Sequence, residues 1–303
     1  MPLLSTLVYR VLSTSGAFAV ARRLRHGASV LCFHNVLSPA AKSEAIESSL
    51  HVPAEEFAGL IDWLADHYDV IPLSTAAASP DLCRGRRPSL ALTFDDAYRG
   101  VLRNALPLLR QRGLPATIFA VSGSRFPDTG FWWDDTGVAR LMTPEVRRRC
   151  LADEHGDGER ILGALHLASA PPTDADRLPA RWTELAVALG PDIELGAHSV
   201  THRALPFLSD AELARELTEC RATIAAQVGT EPRYFAYPYG LWDRRVRVAA
   251  RAAGYAAAFT LEPGVCTQRL DPWALPRTNI PSGISLAAFE AWTAGFAPRR
   301  ALL

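Results

Sequence analysis

The chain has 303 residues, 49% of them hydrophobic, and a formal net charge of zero. That much apolar material builds a sizeable core and excludes a disordered chain. The balanced charge argues against a nucleic-acid partner, whose affinity rests on clustered cations. Lys42 is the only lysine, so arginine carries nearly all the positive charge, which reads as genomic composition bias. The five cysteines, Cys32, Cys83, Cys150, Cys220 and Cys266, are scattered without the spacing of a zinc knuckle or redox motif. They read as buried thiols of a reducing compartment, which favours the cytoplasm.

Residues 1–27 form an N-terminal amphipathic helix in this reading. Leu3, Leu4, Leu7, Val8, Val11 and Leu12 recur at helical spacing, and Arg22, Arg23 and Arg25 follow. Basic residues after the apolar stretch are in the wrong order for a signal peptide, and Arg10 with the interspersed Ser and Thr disfavours a membrane span. Such a helix either packs on the rest of the protein or lies on a membrane surface, here the inner face.

From residue 28 to 303 short apolar runs alternate with helical patterns, as in an α/β fold with a largely parallel sheet. Strands are expected at 29–33, 70–73, 90–94, 116–121, 193–197, 234–237, 256–260 and 274–280. Ser209 and Glu212 make a capping box for a helix that Gly229 ends, and Gly113 and Gly254 close helices beginning near Tyr98 and Asp243. About seven to eight mostly parallel strands with intervening helices fit a distorted (β/α) barrel. One connection, at about 122–191, is far longer than usual and reads as a lid or binding insertion. It holds Phe131-Trp132-Trp133-Asp134-Asp135 and a helical stretch near 138–151.

Three groups of residues stand at the ends of expected strands, where such barrels place their chemistry. Leu92-Thr93-Phe94-Asp95-Asp96 ends an apolar strand in two carboxylates. Those need a cation or several donors, unless one of them simply caps the helix near Tyr98. In His198-Ser199-Val200-Thr201-His202 two imidazoles four residues apart would share one side of a helical turn and, with a carboxylate, make a facial metal set. The alternative is two unrelated surface histidines. Phe235-Ala236-Tyr237-Pro238-Tyr239-Gly240 makes a tight turn able to aim a backbone N–H into the barrel mouth. The rings of Trp132 and Trp133 suit either a sugar-stacking platform or a hydrophobic plug for the insertion.

The order Asp-Asp, then His-Ser-x-x-His, then Pro-Tyr-Gly, between about 90 and 255, resembles the polysaccharide deacetylase family (NodB homology, carbohydrate esterase family 4). The resemblance implies a distorted barrel that hydrolyses the acetyl group of an acetylated sugar. It implies Asp95 as general base, and Asp96, His198 and His202 as ligands of one divalent ion, most simply Zn2+, with Co2+, Ni2+ or Fe2+ suiting the same ligands. It gives the Tyr239 N–H as oxyanion donor; the residues expected against the substrate are Trp132, Trp133, Pro238 and Tyr239. The chain departs from the pattern twice. Ala236 stands where the family has an arginine that orients the aspartate, for which Arg277 is the candidate replacement. No C-terminal histidine follows an apolar strand, whereas Val30-Leu31-Cys32-Phe33-His34 has that character. This resembles the circularly permuted poly-N-acetylglucosamine deacetylases and makes His34 the candidate acid. The expected partner is an N-acetylated glycan or lipid-linked sugar. An O-acetyl ester hydrolase and a catalytically silent carbohydrate-binding relative are the alternatives.

Overall fold

The structure is a computed structural model describing residues 3–39, 48–78 and 87–299, with side chains of the first helix from Val8 onward. Lys42, Cys83 and the side chains of Leu3, Leu4 and Leu7 lie outside the described residues. Ten strands are described: β1 (Ala28–Phe33), β2 (Asn35–Leu37), β3 (His51–Pro53), β4 (Asp69–Val70), β5 (Ser89–Phe94), β6 (Ala116–Ala120), β7 (Ile193–Ala197), β8 (Tyr234–Ala236), β9 (Ala257–Phe259) and β10 (Thr278–Asn279). The main sheet has the order β10-β1-β5-β6-β7-β8-β9, with β4 on the N-terminal half of β5, and every pairing is parallel. Its edges meet: Leu275, just before β10, forms a parallel bridge with Phe259 of β9. The sheet is a distorted barrel, as the alternating pattern implied.

β1 and β5 are buried along their whole length. Both faces are covered, so these strands read as continuous apolar runs and not as alternating ones. Phe33 pairs with Phe94, so His34 and Asp95 leave the sheet side by side, and the Asp95 N–H donates to the Phe33 carbonyl at 2.9 Å.

The helix signals are fulfilled in detail. Ser209 caps Asp210–Val228 reciprocally with Glu212, and Gly229 ends that helix at φ 74°. Asp243 caps Arg244–Ala252. Four expectations need correction. The helix expected over 1–27 is, in the described residues, two helices, Leu3–Thr14 and Ala17–Leu24, because Gly16 takes the left-handed conformation between them. The strand expected at 70–73 stops at Val70, and Leu73 opens a short helix. The strand expected at 274–280 is reduced to Thr278–Asn279, since Pro272–Ala274 is a 3-10 turn and Pro276 supplies no N–H. The helical stretch near 138–151 is broken into Thr136–Leu141 and Pro144–Ala152, with Thr143 capping the second. The cysteines Cys32, Cys150, Cys220 and Cys266 are buried and free, as expected.

Candidate active site

The strand ends converge on a cleft of about 320 Å³ walled by His34, Asp95, Asp96, His198, His202 and Tyr239. They come from the loops after four strands, β1, β5, β7 and β8. The backbone there is unusual. Of seven non-glycine residues with positive φ among the described residues, five are Asp96, Ala97, Ser199, His202 and Tyr239. Each such residue stores roughly 1–3 kcal/mol of strain, so the fold sustains it where the three motifs lie and almost nowhere else.

The two adjacent carboxylates have different partners. Arg277, wholly buried, holds Asp95 in a fork, Nη1 donating to Oδ1 at 2.6 Å and Nη2 to Oδ2 at 2.8 Å. Its Nε donates to the Thr260 carbonyl, and Nη1 also reaches Thr93. Burial alone would raise the Asp95 pKa, but the Arg277 charge, with His198 and His34, outweighs it and holds the carboxyl well below the usual range. Arg277 thus stands where the missing family arginine was expected to act. Neither aspartate caps the following helix, which opens with a π turn at Val101–Ala105 and has no side-chain cap.

Asp96 Oδ1 faces two imidazoles. It lies 3.2 Å from His202 Nε2 and 3.6 Å from His198 Nε2, and those two nitrogens are 3.2 Å apart. His198 Nδ1 donates to the Ala236 carbonyl at 2.7 Å, which fixes its tautomer and leaves the Nε2 lone pair facing the cluster. Burial, partly opposed by Asp95, lowers the His198 pKa to about 4. A neutral imidazole therefore presents a bare lone pair to a buried carboxylate. Asp96 Oδ1 has no hydrogen-bond partner in the structure. These three atoms suit a cation: tetrahedral zinc with bonds of about 2.0–2.1 Å spaces its ligand atoms by about 3.3–3.4 Å. The histidine pair does not share a helical turn, as its spacing suggested. It lies in a loop that Ser199 and His202 turn through left-handed conformations, with the His202 N–H held by Ser199 Oγ.

His34 is 9% exposed, and one of its ring nitrogens lies within 4.8 Å of both Cys32 Sγ and an Asp95 carboxylate oxygen. Burial lowers its pKa, while Asp96 and Asp95 pull it back up. Tyr239 sits at φ 59° in a turn closed by Gly240 N–H to the Tyr237 carbonyl. Pro238 is buried and is not part of the cleft wall.

Trp132 and Trp133 both line the cleft. They are only 7% and 4% exposed. Trp133 stacks on Phe131 at 4.5 Å. Phe131, Trp133 and Tyr239 together box the His202 ring, at centroid distances of 5.6, 4.8 and 4.6 Å. The aromatic run therefore packs as a plug would and walls in a candidate ligand, while Trp132 and Trp133 also border the cleft where a sugar would lie.

Two supporting groups were not singled out in the sequence. Glu216, buried on Asp210–Val228, accepts from the N–H groups of Val200 and Thr201 and from the Thr201 hydroxyl, so one carboxylate holds the loop between the histidines. Its signal was legible: a charged residue on the apolar face of Leu213, Leu217 and Cys220. The other is a buried chain behind Trp133. Val36 N–H and the Asp176 carbonyl fix the Asn35 amide, whose NH2 faces His51 Nδ1, and His51 Nε2 donates to Asp134. Tyr98 donates to the other Asp134 oxygen and accepts from Trp133 Nε1. Apart from the adjacent Trp133 and Asp134, nothing local in the sequence links those residues.

A family model described as polysaccharide deacetylase matches residues 84–258. The chain belongs to the polysaccharide deacetylase family. A curated relative, YxkH of Bacillus subtilis (strain 168), named provisionally as a polysaccharide deacetylase, is 24% identical over 267 residues, covering 87% of this chain and 75% of its own. Among solved structures, IcaB from Ammonifex degensii aligns with a TM-score of 0.60 at 20% identity, over 89% of this deacetylase and 98% of IcaB. The Streptococcus pyogenes deacetylase PplD, solved with acetate, aligns with a TM-score of 0.60 at 16% identity, over 90% and 99%. At such identities the structures support the barrel fold shared by the family.

Proposed function

We propose that this deacetylase removes N-acetyl groups from amino sugars with the help of one divalent cation, most simply zinc. The observation that carries the reading is the closeness of Asp96, His198 and His202 beside an Asp95 already neutralised by Arg277. One carboxylate is balanced within the protein, whereas the other is left for a cation.

Asp96 Oδ1, His198 Nε2 and His202 Nε2 would hold the ion. When bound it would acidify a water and polarise the acetyl carbonyl. Asp95, ionised throughout the working pH range, takes the proton of the attacking water. Its low pKa makes it a weak base, so Arg277 secures its charge and direction at some loss of basicity. The N–H of Tyr239, a left-handed residue lining the cleft, would donate to the oxyanion. His34, beside Asp95, would relay to the departing amine the proton that Asp95 takes from the water. An ester leaves without that protonation more readily than an amide does, so a buried acid favours the N-acetyl substrate.

The test is acetate release from matched N-acetylated and O-acetylated oligosaccharides, by wild type and by Asp95→Asn. The account expects release from the N-acetylated set, abolished in the variant and by chelator. Release from the O-acetylated set alone would replace it with an esterase. Sugar binding without acetate release, indifferent to chelator, would make the chain a binding protein.

A further inference from the structure

The N-terminal helices are fastened to the barrel by one face and leave another bare. Phe18 is buried against Phe296, with ring centroids 5.5 Å apart. Arg22 donates to Glu290 at 2.7 Å, Ser13 also donates to Glu290, and Arg25 reaches the Thr293 carbonyl at 3.1 Å. These contacts fix Leu3–Thr14 and Ala17–Leu24 on the C-terminal helix Leu286–Ala291 and the turn Trp292–Phe296.

The remaining faces are apolar. Val8, Val11 and Leu12 follow helical spacing on the first helix, and Val20 and Leu24 lie one turn apart on the second. All five are exposed, Leu24 to 71%, and so are Leu286 and Phe296 beside them. Of twelve large exposed hydrophobic residues among the described residues, these two short stretches hold seven. Such a concentration marks an interaction surface, whereas scattered single residues would not.

The charge identifies the partner. No Asp or Glu precedes Glu44, while Arg10, Arg22, Arg23 and Arg25 do. Across 281–299 the one acid is Glu290, already engaged by Arg22 and Ser13. The exposed charges left on the two helices and on the C-terminal segment, Arg10, Arg23 and Arg299, are all cationic, although the chain as a whole is neutral. A second copy laid on this face would set arginine against arginine. An anionic bilayer satisfies both features, taking apolar side chains into its boundary and cations among its headgroups. No helix among the described residues is long and apolar enough to cross a membrane.

We propose that residues 8–24, with Leu286 and Phe296, dock this protein on an anionic lipid bilayer. The docked face adjoins the active site: Ala297 and Pro298, directly after Phe296, share a small hollow with Leu261 and Asn279, which also wall the catalytic cleft. Docking therefore brings the cleft close to the lipid surface.

The test is flotation of the whole chain with vesicles of phosphatidylcholine alone or mixed with phosphatidylserine. Wild type should float with the mixed vesicles and lose binding as salt is raised. Arg10→Gln with Arg23→Gln should weaken that binding on the order of tenfold. Val20→Asp with Leu24→Asp, which alter only exposed positions, should abolish it while leaving the circular-dichroism melting curve unchanged. Failure of the wild type to float, or undiminished flotation of the folded Asp variant, would overturn the proposal. So would a dimer in light scattering that the Asp variant dissociates, which would assign the face to self-association. None of these readouts uses acetate release, so the proposal stands or falls apart from the assigned reaction.

Discussion

At the scale of single residues, the site divides two neighbouring aspartates by what faces them. Asp95 has a guanidinium and Asp96 has imidazoles, and in the proposed reaction this difference would make one a base and the other a ligand. Arg277→Met removes the charge that holds Asp95 down and leaves burial, which acts in the opposite direction. The acid limb of the kcat/KM profile should therefore move to higher pH, with partial return in Arg277→Lys; an unmoved limb would separate Arg277 from the base. The same sign governs stability. A carboxyl depressed in the folded state stabilises above its unfolded value of about 3.9 and loses that contribution as pH falls through the folded value. Breaking so buried a pair on one side costs about 3–5 kcal/mol, and Asp95→Asn with Arg277→Met should recover part of it. His34→Ala should abolish turnover and leave metal affinity intact. Normal turnover in that variant would remove His34 as the acid.

At the scale of elements, loops after strands do the aiming, and helices and aromatic plugs hold the loops. Glu216 ties three donors of the histidine loop to Asp210–Val228, so Glu216→Gln should weaken metal binding about 10–100-fold, as losses of such supporting partners do. Trp133→Leu should act in the same direction by opening the box around His202, whereas a raised KM with unchanged metal affinity would support the stacking platform. Gly196 lies two residues before His198, and a Cβ there would meet the Phe119 ring at 2.4 Å. That ring lies beneath the Arg277 guanidinium. Gly196→Ala should therefore cost roughly 1–3 kcal/mol in a denaturant titration.

Much at this scale was legible. Caps at Ser209 and Asp243 and the apolar runs of β1, β5 and β7 are local signals that burial and hydrogen bonding fulfil in place. What was not legible depends on distant partners. The histidine loop is non-helical because Glu216 and Ser199 satisfy its backbone. β10 is short because proline interrupts it. The Asn35–His51–Asp134–Tyr98–Trp133 chain joins residues separated by up to about a hundred positions, and no spacing rule reports that.

At the scale of the whole molecule, the parallel strands curl until Leu275 reaches Phe259 and bring their C-terminal ends to one cleft, with the long insertion packed over it through Trp132 and Trp133. The alternating pattern implied this barrel, and the motif order implied which strand ends would meet. The closure by Leu275 and the placement of β1 between β10 and β5 are properties of the closed sheet alone. A cation that binds only the folded barrel stabilises it by mass action, by about 4 kcal/mol at a free concentration about a thousandfold above Kd. Thermal unfolding should accordingly shift upward with zinc in wild type and stay put in His198→Ala.

The most direct test is calorimetric titration of the metal-stripped protein with zinc, beside folded His198→Ala and Asp96→Ala. The account predicts one tight site in wild type that both substitutions remove. No site in well-folded wild type, or a site that survives both substitutions, would contradict it.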